Sequence, residues 1–164
     1  MSPGAVRHLC AGLIILTLVA AGPLASEERK EAQEEKETVQ VSVIAILATE
    51  RNSDIDPKLA CIAREVCKTH KKLTGFHLAT TSRKSLAIGV REMFEVVGDQ
   101  KVAVTVKESA DEKNRVQVKV GPPQMGEITY DTCCGKFLPI VTPVSLKNKD
   151  LLIIAVRVQP CHHK

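Results

Sequence analysis

Apolar residues along the chain recur with two periods, and the change between them divides the sequence into elements. Val39, Val41, Val43, Ala45 and Leu47 alternate with Gln40, Ser42, Ile44 and Ile46. The early part of this run has one wet face and the later part is apolar on both, which predicts a strand central in its sheet. Glu50–Ile55 is a polar connection. From Phe76 onward the period is again two, and it predicts strands at 76–81, 86–96, 101–108, 114–120, 126–132, 137–142 and 150–158. Val102, Val104 and Val106 share one face, as do Val116, Val118 and Val120. Gly98-Asp99-Gln100, Asp111–Asn114 and Lys147–Asp150 suit tight turns, and Gly121-Pro122-Pro123 ends a strand because proline has no N–H to donate.

Between the first and second strands the period becomes helical. Asp56 is a good N-cap and Pro57 fits the first helical position, so a helix is expected from Pro57 to about His70. Leu59, Ile62, Ala63, Val66 and His70 fall on one face. Gly75 is read as relief for the exit turn. The run Leu151–Val158 is apolar on both sides and is expected beside the first strand, with the helix over their outer face. The fold class that follows is α+β: one helix in the N-terminal half, packed on a mostly antiparallel β-sheet or small β-sandwich.

The segment before the first strand has a different character. Residues 1–26 have the layout of a secretory signal peptide: Arg7 and His8, an apolar run from Leu9 to Ala21, then small residues. The apolar run falls short of the roughly 18 residues that span a bilayer. Cleavage is expected between Ala21 and Ser26, leaving no membrane span. Glu27–Glu37 is charged, with Ala32 its sole apolar residue, and reads as a flexible tether. Residues 38–164 then form one strand-rich domain with a short Cys/His tail. The expected location is periplasmic or secreted.

Composition narrows the function classes. Hydrophobic residues make up 44% of the chain, but there are only three Phe, one Tyr and no Trp, so aliphatic side chains must fill the core. Such scarcity opposes a base-stacking platform. The net charge of +4 is spread among Asp and Glu without forming a basic stripe, so no nucleic-acid partner is expected.

Removal of Cys10 with the leader leaves Cys61, Cys67, Cys133, Cys134 and Cys161. An odd number leaves at least one thiol unpaired. Cys61 and Cys67 are about 120° apart around a helix and cannot bridge within it; Cys61 is expected to be an exposed thiol. A structural disulfide from Cys133 or Cys134 to Cys161 would staple the tail to the domain. Alternatively, Cys133, Cys134, Cys161, His162 and His163 offer thiolate and imidazole ligands suited to Zn or Cu ions, although no Cys-x-x-Cys spacing is present and no resident cofactor is expected.

Catalytic motifs are absent: there is no Gly-x-Ser-x-Gly, no His-Glu-x-x-His and no phosphate-binding glycine loop. His77, at a strand start, and Cys61 are the residues on which a small exported enzyme would be built. His70 reads as a packed structural histidine.

The layout resembles uncharacterised small exported proteins of environmental bacteria such as planctomycetes and myxobacteria. The similar features are a strand ending at Ile46-Leu47-Ala48, the helix opening Asp56-Pro57-Lys58-Leu59-Ala60 and the closing run Leu152–Val156. The resemblance covers most of 39–158 and implies no activity or functional residue. The leading expectation is a non-catalytic binding or assembly module with an envelope or extracellular protein partner. The alternatives are a metal- or thiol-dependent protein and a small enzyme.

Overall fold

A long first strand and a long last strand, both apolar on two faces, form the centre of the molecule. The computed structural model describes residues 37–160; the leader, residues 27–36 of the tether and the tail Cys161–Lys164 lie outside the described residues. The elements are β1 (Thr38–Thr49), a 3-10 turn (Pro57–Leu59), α1 (Ala60–Thr69), β2 (Gly75–Ala87), β3 (Arg91–Glu95), β4 (Lys101–Val106), β5 (Arg115–Gly121), β6 (Ile128–Cys133), β7 (Leu138–Ser145) and β8 (Leu151–Pro160). They form two four-stranded sheets, A in the order β2-β1-β8-β7 and B in the order β3-β4-β5-β6. Every strand pair is antiparallel. The α+β fold is therefore a β-sandwich with one helix on its outer face.

Alternation in β1 and β8 builds three layers. Val39, Val41 and Val43, with Leu152, Ile154 and Val156, point between the sheets and meet Val102, Val104, Val118 and Val120 of sheet B. Ile46 and Ala48, with Ile153 and Ala155, point outward beneath Ile62, Ala63 and Val66 of α1. Each fully buried aliphatic side chain contributes about 1.5–3 kcal/mol relative to exposure, and both cores are built largely of such side chains. β1 lies beside β8 with Ala45 opposite Ile154, and the helix covers their outer face as expected.

The helix begins as the sequence suggests. The Asp56 carboxylate accepts from the Lys58 N–H at 2.9 Å, and Pro57 opens a tight 3-10 turn before the α-helix proper. The exit differs from expectation. His70 ends the helix in a non-helical conformation (φ −116°) and is exposed, so it is not a packed structural histidine. Leu73 takes the buried position instead.

Two further differences have local causes. The polar run Ser82-Arg83-Lys84-Ser85, which suggested a break, continues β2, because the long β1 supplies a pairing partner for every residue of it. The chain turns later, at Ala87–Val90, inside the segment read as a single strand over 86–96, and Gly89 provides the positive φ of +80°. The inward side chains of β2 then close this side of the sandwich. Thr80 Oγ1 donates to the Val96 carbonyl (2.9 Å), Ser82 Oγ to that of Glu95 (3.4 Å) and Lys84 Nζ to that of Met93 (2.8 Å). These contacts cap the free edge of β3, which would otherwise be open to another strand.

On the opposite side β7 carries Pro139 and Pro143, residues that sheets tolerate on edge strands. Its register against β8 slips between Val141 and Ser145. The Thr142 hydroxyl bridges the slip, donating to the Leu152 carbonyl at 2.7 Å and accepting from the Val144 N–H at 3.3 Å.

A candidate binding groove between the helix and the edge strand

Because α1 lies across sheet A next to β7, a groove opens between the helix flank and that edge strand. It consists of two clefts of about 520 Å³ and about 340 Å³ that share Glu65, Leu138 and Pro139. The helix contributes residues at a spacing of four: Cys61 and Ile62, then Glu65 and Val66, then Thr69 and His70. The facing wall is Phe137, Leu138, Pro139 and Val141, with Thr132, Gly135 and Lys136 at one end. The walls are thus mainly apolar, and the rim carries one acid, Glu65, and one base, Lys136.

The residues singled out from the sequence fall in different places. Cys61 is exposed at one end of the groove, as expected. His70 lines the other end. The two are nine positions apart on the helix, about 13 Å along its axis, so they form no nucleophile–base pair. His77 is exposed on β2 and is not part of the groove. Glu65, Lys136 and Phe137 were not singled out beforehand, because nothing local in the sequence shows that 61–70 and 132–141 face each other.

The expected disulfide is corrected by the structure. Cys61, Cys67, Cys133 and Cys134 are all free thiols, and Cys161 lies outside the described residues. The two neighbouring cysteines diverge. Cys133, the last residue of β6, stands opposite Arg115, while Cys134 packs against the core between the sheets. The Cys134 N–H donates to the Asn114 carbonyl (2.9 Å) and the Gly135 N–H to that of Val158 (2.8 Å), so backbone bonds hold this turn. Gly135 adopts φ +84° there. Cys67 Sγ donates to the Leu73 carbonyl at 3.3 Å, tying the helix to its exit turn.

Among the described residues no group of three His, Cys, Asp or Glu side chains could hold a metal ion; His162 and His163, with Cys161, lie outside them. No helix among the described residues is long and apolar enough to cross a membrane.

The thiols differ in reactivity for physical reasons. Burial, with the neighbouring Cys133 and Asp111 adding to it, pushes the Cys134 thiol up. Cys61 stands in solvent. Alkylation followed site by site by mass spectrometry is expected to modify the exposed Cys61 faster than Cys134, whose raised pKa and partial burial both slow reaction. Equal rates would mean that the Cys134 turn opens freely.

Tyr130 also faces the inter-sheet core, with a buried hydroxyl that has no hydrogen-bond partner among the described residues. Burial pushes its phenol well above the usual range, so it stays neutral.

No protein-family model, curated protein or solved structure matches the chain, so the comparisons bring no activity or site residue to it.

Proposed function

We propose that this chain is an exported, non-catalytic binding module whose groove between α1 and β7 holds a short extended segment of a partner protein. The groove is the observation that carries the reading. Its apolar walls and polar rim have the composition of a recognition site, and its larger part is within the usual size of ligand pockets. Its length along the helix, about 13 Å, matches about four residues of extended chain. Alternate side chains of such a segment would meet Ile62 and Pro139 on one side and solvent on the other. The separation of Cys61 from His70 favours binding over catalysis. The signal layout of residues 1–26 and the charged tether support an envelope or extracellular setting, with the partner exported as well.

Selection of displayed peptides against the full chain tests the proposal. Short peptides with apolar residues at alternate positions should be enriched. They should lose at least about tenfold in affinity on Pro139→Glu, the cost of setting a charge against an apolar anchor. Cys61→Trp, an exposed position that fills the groove mouth, should produce a similar loss while leaving thermal unfolding unchanged. Failure to enrich such peptides, or binding unaffected by both substitutions, would refute the groove as the recognition site.

A further inference from the structure

The outer face of sheet A beyond the helix carries a row of groups that the groove does not use. In β8, Arg157 interrupts an otherwise apolar run, Leu151–Val158. It lies directly opposite Ser42 of β1, and Ser42 on its other side lies opposite Arg83 of β2. Directly opposed residues of antiparallel strands project to the same face. Ser42 therefore sits between two arginines.

Neither arginine forms an ion pair with a described residue, although Arg51, Arg91 and Arg115 all do. Ser42 is only 1% exposed, yet its hydroxyl has no hydrogen-bond partner among the described residues. Arg157 Nε is likewise fully buried and without a partner. The Arg157 guanidinium lies over the Phe137 ring, its carbon 4.5 Å from the ring centroid, a cation–π contact. Leaving a buried donor unsatisfied is unfavourable, and more so for a charged group. Two such groups in one cross-strand row, beside a second cation with no ion-pair partner among the described residues, make a set of donors that those residues leave unfilled.

We propose that the row Arg83–Ser42–Arg157 binds an oxyanion, a carboxylate or phosphate group, with Arg157 Nε as its inner donor. The chemistry suits the arrangement. A guanidinium presents parallel N–H donors that match the two oxygens of a carboxylate or phosphate. The serine hydroxyl adds a third donor, and Arg83, exposed at the edge strand, supplies a second positive charge. The contact with Phe137 restrains the Arg157 side chain before the ligand arrives, so less side-chain freedom is lost on binding. The site adjoins the groove, since Phe137 also lines the groove wall, but none of its three donor residues lines the groove.

The test observes the arginine Nε–H resonances of the ¹⁵N-labelled full chain by NMR. Phosphate and acetate are titrated separately, at fixed ionic strength, against chloride. A saturable shift of the Arg157 Nε–H and the Ser42 amide, with Arg51 and Arg115 unmoved, is the expected result; the anion that produces it tells a phosphate source from a carboxylate source. Arg157→Lys, which keeps the charge and loses the fork, should weaken the effect about tenfold. Arg83→Gln, at an exposed position that leaves the core untouched, should weaken it too. Shifts that follow chloride equally, or that appear alike at Arg51 and Arg115, would overturn the proposal.

Discussion

Phe76→Ala is expected to lower the stability of the domain by about 3–5 kcal/mol, the usual cost of emptying a buried phenylalanine site. Phe76 is fully buried in the layer between α1 and sheet A. The same residue anchors the approach to the helix. Its N–H donates to the Asp54 carbonyl at 2.8 Å, its carbonyl accepts from the Asp56 N–H at 2.9 Å, and it forms a parallel bridge with Ile55. A truncated side chain thus leaves a cavity beneath the helix at the point where the chain enters it. The loss would be a large share of a total stability of about 5–15 kcal/mol. Urea unfolding should show an earlier midpoint, and amide exchange should show α1 losing protection before the sandwich. A change below about 1 kcal/mol would mean that the helix layer does not rest on this ring.

Gly75→Ala is expected to destabilise by about 1–3 kcal/mol, the range for overpacking a filled site. General considerations favour the opposite sign, because alanine restricts the unfolded chain and suits a strand better than glycine. The surroundings decide the outcome. A Cβ at this position would stand 2.1 Å from Asn52 Oδ1, 2.7 Å from Thr49 Cγ2 and 3.1 Å from the Asn52 carbonyl oxygen. The Asn52 side chain is engaged, accepting from the Asp54 N–H at 3.2 Å, and its carbonyl accepts from the Thr74 hydroxyl. Thr49 is engaged as well, since its hydroxyl accepts from Arg51. Removing the obstructing side chain with Asn52→Ala should recover part of the loss, so a double-mutant cycle measured by denaturant unfolding gives a favourable coupling between the two changes. A stabilised Gly75→Ala protein would show that the loop yields without cost.

Gly75 also shows where sequence reasoning reaches its limit. It was read as a residue needed for its backbone freedom, but its φ is not positive, and what the site requires is space. The alternating valines were legible because each strand has one dry and one wet face, and their period survives any tertiary arrangement. The adjacency of β1 and β8 was legible for a related reason: both are apolar on two faces, so both need cover on two sides. The division into two sheets was not. Ser82-Arg83-Lys84-Ser85 looks like a loop because its side chains meet solvent or reach across to β3, and only the length of β1 keeps the segment extended. His70 kept the helical period but lost its place on the packed face because the helix ends there. The groove was illegible in a deeper sense. Its two walls lie far apart in sequence, and each residue in them has an ordinary local explanation. The arginine row depends on register across three strands, which a pattern of polar and apolar residues leaves unspecified.

The pairing of β1 with β8 also constrains when the domain can form. Val39 stands opposite Pro160, so the first strand to leave the ribosome finds its central neighbour only when the last described strand has been made. Until then β1 has only β2 beside it, and both cores lack the side chains of β8. Closing so long a loop is slow, and folds dominated by such distant pairings complete in milliseconds to seconds. The pairing of β1 with β8, and with it the completion of both cores, is therefore among the last contacts that a growing chain can form.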